Sequence, residues 1–239
     1  MDEINILLET ASNHCQKGDF KQGIHLYAQY IKQNPKNPKA YYQRGKAYFK
    51  IKDYNAAISD LNKAMQLVPN DAHLTGERGL IYFMAKKENK AMADFDKAVE
   101  LESENPFRYA SRAFIKDRIG DLEGAKTDYQ KALELDPEDA ISYNNLGLVL
   151  DKMGYRKKAE DHFEKAADID PKNFGMSKSK ESSQSEVPEE KPDLPPLPDI
   201  GGEEEPSKSA NFINTLKELA KSKKERKEFW EFVKSKFTV

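Results

Sequence analysis

Residues able to do chemistry are few and scattered. Cys15 is the single cysteine, and with His14 beside it and His25 further on it makes the nearest approach to a thiol–imidazole pair for nucleophilic work. The four histidines, His14, His25, His73 and His162, share no ligand spacing with one another or with Cys15. A structural zinc site takes about four closely spaced donors. The acidic neighbours Asp94/Asp96 and Glu138/Asp139 fall on a helix and a turn, where carboxylates are ordinarily solvated. The sequence carries no glycine-rich phosphate loop and no Ser/His/Asp set. No enzymatic activity, cofactor or metal is expected. The ordered ionic signal is a different one. Arg44, Arg78 and Arg112 recur 34 residues apart, and so do Asp60, Asp94 and Asp128. The two types appear together in the same three stretches and are both missing from the flanking two, which predicts an arginine–carboxylate pair inside each stretch. A pair running between successive stretches would need an aspartate where Leu26 stands.

That spacing belongs to a repeat that runs through most of the chain. Gly45, Gly79 and Gly147 fall on one 34-residue register, with Ala11 and Ala113 in the same slot. Ala57, Ala91, Ala125 and Ala159 follow twelve places later, and Ala64, Ala98, Ala132 and Ala166 seven beyond those. Pro35, Pro69, Pro137 and Pro171 close four of five contiguous repeats, 4–37, 38–71, 72–105, 106–139 and 140–173; Ser103 takes the fifth proline's place. Each repeat reads as a helical hairpin. Small residues at the glycine and alanine slots let two backbones approach closely, and larger ones such as Leu61, Phe95 and Tyr129 fill the space beside them. Gly18, Gly120 and Gly154 stand where the first helix ends, suiting a left-handed cap. Proline then ends the second helix.

These residues resemble the tetratricopeptide repeat. The resemblance implies an all-α, right-handed superhelix (an α-solenoid) of five hairpins that scaffolds other proteins, with a concave groove lined by the first helix of each repeat. Gly23 for alanine, Ser103 for proline and Lys116 at a usually apolar slot depart from the family pattern. By the resemblance, the groove places hold Tyr42, Lys46 and Phe49 in repeat two and Leu80, Phe83 and Met84 in repeat three. Phe107 and Phe114 follow in repeat four, Ile141 and Leu148 in repeat five. The carboxylate clamp of chaperone-binding members, which hold the acidic C-terminus of heat-shock proteins, needs lysines, asparagines and an arginine at set places. Read from repeat two those places hold Tyr42, Lys46, Glu77, Phe107 and Ser111, and no other starting repeat does better. The asparagine ladder of the sugar-transferase repeats is represented by Asn145 alone. What remains is an apolar, aromatic wall suited to a peptide or an amphipathic helix.

The formal net charge of −2 argues against a general affinity for nucleic acid or anionic membrane. The acidic start, Met1-Asp2-Glu3, and the absence of any apolar run of about 18 residues lead to the expectation of a soluble, cytoplasmic protein; a lone cysteine fits a reducing compartment. Charge is uneven along the chain. Residues 174–208 hold half of the twelve prolines and nine acidic residues against four lysines, the composition of a disordered linker. Residues 209–239 carry eight Lys/Arg against four Glu, with Phe212, Leu216, Leu219, Trp230, Val233 and Phe237 on one helical stripe. This basic, aromatic amphipathic helix has three possible uses: covering the end of repeat five or the groove of its own chain, binding a separate partner, or resting on an anionic membrane surface.

Overall fold

The computed structural model describes residues 3–175; the expected linker and the amphipathic segment 209–239 lie outside the described residues. Eleven helices follow one another among them: α1 (Glu3–Gln16), α2 (Phe20–Gln33), α3 (Pro38–Lys50), α4 (Tyr54–Leu67), α5 (Ala72–Met84), α6 (Glu88–Leu101), α7 (Pro106–Arg118), α8 (Leu122–Leu135), α9 (Ala140–Lys152), α10 (Arg156–Ile169) and the single turn α11 (Pro171–Phe174). They form two compact units that divide between Ile115 and Lys116. In the first, α1 pairs with α2, α3 with α4 and α5 with α6, and each hairpin packs on the next. In the second, α8 packs on α9 and α9 pairs with α10.

The turns explain why the helices stop and start where they do. The slot ending each first helix is left-handed in every repeat, at Gly18, Lys52, Lys86, Gly120 and Gly154, with φ of 86°, 64°, 59°, 88° and 86°. Glycine takes this conformation at no steric cost, whereas the two lysines are strained by it. Immediately afterwards Asp19, Asp53 and Asp121 accept hydrogen bonds from the backbone N–H groups of Gln22, Ala56 and Gly124, satisfying donors that the next helix leaves open. Asn37, Asp71 and Asp139 do the same for the first helices of three repeats.

Between the helices of a hairpin the small slots are fully used. Ala57, Ala91, Ala125 and Ala159 are out of solvent, as are Ala64, Ala98, Ala132 and Ala166. A methyl group added to Gly45 would lie 2.7 Å from Leu61 Cδ1, and one on Gly147 2.5 Å from the Phe163 ring. The large residues that fill the remaining space, such as Tyr27, Leu61 and Tyr129, are buried, each contributing about 1.5–3 kcal/mol through apolar area removed from water.

The expected ionic pairs are present in repeats two and three. Arg44 donates from Nε and Nη2 to Asp60, both at 2.8 Å, and Arg78 to Asp94 at 2.8 and 2.6 Å. Arg112 and Asp128 fall in different units. A contact across repeats accompanies the pairs: Arg78 Nη1 donates to Asn62 Oδ1 at 2.6 Å, and Arg112 Nη1 to Asp96 Oδ1 at 2.8 Å. In the second unit Lys116, the residue at the usually apolar slot, is paired with the buried Asp128 at 2.9 Å.

Candidate functional site

The first unit brings α3, α5 and α7 side by side in chain order. Tyr42 on α3 meets His73 on α5, hydroxyl to Nε2 at 3.0 Å, with the rings edge to face at 5.5 Å. Lys46 Nζ lies 5.3 Å from the centre of the Tyr42 ring, a cation–π distance. On α7, Arg108 reaches back to α5, its Nη1 3.8 Å from the point where a side chain on Gly76 would begin. Arg108 also donates from Nε to Glu102 Oε2 at 2.7 Å, as does Asn105 Nδ2. Burial would raise the Glu102 pKa, but these two bonds and the nearby cations hold it below the usual carboxylate value.

Tyr42, Lys46, Leu80, Phe83, Met84, Phe107 and Phe114 are all half-buried: packed on one side, open on another. Leu148 in the second unit is 41% exposed. Two of the ten expected lining residues are buried. Phe49 is 3% exposed, with the Tyr54 ring 5.6 Å away at the start of the returning helix. Phe83 occupies the same place in repeat three but is followed there by the exposed Glu88, and stays partly open. Ile141 is 1% exposed and belongs to the core.

The remaining chemistry-bearing residues have structural duties. Cys15 packs against Gly23, and burial, helped by Asp19, pushes its thiol pKa up to about 11, far from a thiolate at neutral pH. His14 bonds Asp19 at 3.0 Å and His25 bonds Gln29 at 3.0 Å, so the three residues do not converge. Asn145, the only representative of an asparagine ladder, is 5% exposed and hydrogen-bonded to Tyr129. No helix among the described residues is long and apolar enough to cross a membrane.

Tandem hairpins with small interlocking slots and left-handed turns define an α-solenoid. Models of the tetratricopeptide repeat match residues 38–71 and 140–173, and a further TPR repeat model matches 118–154. Solved structures agree. A MamA protein is 25% identical, with 79% of this chain and 100% of that one covered and a TM-score of 0.60. MamA from Desulfovibrio magneticus RS-1 is 21% identical, covering 72% and 97% with a TM-score of 0.62. YrrB, described as a TPR protein with an unusual peptide-binding site, is 21% identical over 70% and 86%, TM-score 0.54. The chain is a tetratricopeptide repeat protein.

Proposed function

We propose that the chain is a protein-interaction scaffold whose first unit holds a peptide or amphipathic helix against α3, α5 and α7. The observation that carries this reading is the half-buried state of Leu80, Phe83, Met84, Phe107 and Phe114 on α5 and α7. A helix face meant only for water would carry charge at these places, and a partly open aromatic and methionine surface adapts to apolar side chains. The peptide-binding site named for YrrB supports the same use of the fold. The residues of a chaperone clamp are missing, so apolar contacts and not that clamp anchor the ligand. The partner is a protein, not nucleic acid. In the second unit Leu148 is the remaining exposed member of the set.

The test is selection of a phage-displayed random-peptide library on the full chain, followed by anisotropy titration of the best peptides. Wild type should enrich sequences with apolar residues at helical spacing. Phe83→Ala and Phe114→Ala together should weaken them about thirtyfold to several hundredfold, the range for losing two interface anchors at about 1–2 kcal/mol each. Selection of peptides with no apolar pattern, or unchanged affinity in the double variant, would refute the reading. The striped segment 209–239 favours a second reading, in which it is a tethered competitor for the same wall or an adaptor in its own right, joining a complex or an anionic surface. Deleting it should tighten library peptides if it competes and leave them unchanged if it acts alone.

A further inference from the structure

The third place of the repeat is a core slot from repeat two onward, while in repeat one Ile6 is 50% exposed. The occupants are Ile6, Ala40, Leu74, Arg108 and Ser142, and Ala40, Leu74 and Ser142 are 0%, 6% and 0% exposed. Repeat four places a guanidinium there, and Arg108 is only 8% exposed. A cation so far out of water is costly unless its hydrogens find acceptors. Arg108 is provided for on one edge only. Its Nε bonds Glu102, while no hydrogen bond from the described residues reaches either Nη.

That second edge meets a gap. A methyl group on Gly76 would touch Arg108 Nη1 at 3.8 Å and nothing else within 4 Å, so the glycine leaves a notch beside the guanidinium. Gly76 holds the fifth place of its repeat, a groove place. His73 lies one helical turn before it on α5, and the Phe107 ring lies 5.2 Å from the Arg108 guanidinium carbon. A planar pair of N–H donors with an opening beside it matches the two oxygens of a carboxylate. Glu102 and Glu77 lie nearby, and their charge disfavours a doubly charged phosphate.

We infer that Arg108, framed by His73, Gly76 and Phe107, takes a carboxylate of the bound peptide, so that the ligand of this groove carries an acidic group beside its apolar anchors. This rests on the apolar wall proposed above. The acid is supplied either by an Asp or Glu side chain or by the peptide's terminal carboxylate.

The experiment uses peptides recovered from the library on the full chain, resynthesised with Glu→Gln and, separately, with an amidated C-terminus. Wild type should select an acid at fixed spacing from the apolar residues. Neutralising it should weaken binding about tenfold, as expected for a charge-assisted bond. Glu→Gln identifies a side-chain carboxylate, amidation a terminal one. The penalty should vanish on Arg108→Gln, and also on Gly76→Leu, which fills the notch while keeping Arg108 and reads the site even if Arg108→Gln does not fold. Apolar selection without an acid, or an equal neutralisation penalty on wild type and both variants, overturns the carboxylate site and leaves the wall standing. Absence of apolar selection overturns both.

Discussion

Removing the Asp94 carboxylate strands a guanidinium that has little access to water. Arg78 gives Asp94 two of its hydrogen bonds, and its side chain is 23% exposed while that of Asp94 is 9%. In Asp94→Ala it keeps its bond to Asn62 and its place 5.8 Å from the Tyr82 ring. Breaking a fully buried pair costs about 3–5 kcal/mol. Because water reaches about a quarter of Arg78, about 2–3 kcal/mol is the expected loss. Asp96, two residues on, also accepts an arginine bond, from Arg112, but its side chain is 53% exposed. Its removal should cost about 0.2–1 kcal/mol. For a repeat domain of this size each kcal/mol moves Tm by about 2–4 °C. Asp94→Ala should therefore melt about 5–10 °C below wild type, and Asp96→Ala within about 4 °C of it, followed by circular dichroism at 222 nm. Asp94→Asn, which keeps an acceptor without the charge, should fall between them. Equal shifts for the two alanine variants would refute the argument that burial sets the cost.

Two further outcomes follow from the turns. Lys52→Gly and Lys86→Gly place glycine in left-handed slots where three other repeats already have it, and each should stabilise the fold by about 1 kcal/mol, measured by urea unfolding. Asp139 caps α9 yet burial raises its pKa, with bonds from Ser142 and the Ile141 and Ser142 backbone opposing the rise. A raised folded-state pKa means that the folded protein binds the proton more tightly, so the ionised form costs stability above that pKa and the cost is relieved as pH falls through it. Asp139→Asn, an equally good cap, should therefore gain on wild type at neutral pH and lose that advantage in acid; a gap independent of pH would count against the sign.

The hairpins were legible because their geometry repeats. One glycine or alanine register every 34 residues states where two helices touch, and Gly18, Gly120 and Gly154 mark the left-handed turns directly. Lys52 and Lys86 adopt the same conformation with no glycine to mark it. Arg44 and Arg78 found their aspartates for the same reason of period. The cross-repeat bond of Arg78 leaves no periodic signal, because its acceptor slot holds Ala28, Asn62, Asp96 and Gln130, which share no one chemistry. Wall residues were harder still. Phe49 and Phe83 occupy equivalent places, yet the first is buried beside Tyr54 and the second stays partly open where Glu88 stands. Arg108 did leave a signal: it is the one charge in a slot otherwise held by isoleucine, alanine, leucine and serine.

The third hydrogen bond of Arg78 gives the seam between hairpins a polar partner. A solenoid seam of methyl groups and rings accepts any neighbour of similar shape. Here repeat two ends in an acceptor, Asn62, and repeat three in another, Asp96, each serving an arginine sixteen residues later, while Ala28 offers no side-chain acceptor ahead of Arg44. A chain rebuilt with its hairpins shuffled would still match grease to grease, yet leave arginine hydrogens facing alanine. Polar chemistry thus marks the order of assembly, since repeats three and four each follow a predecessor that brings oxygen to the seam.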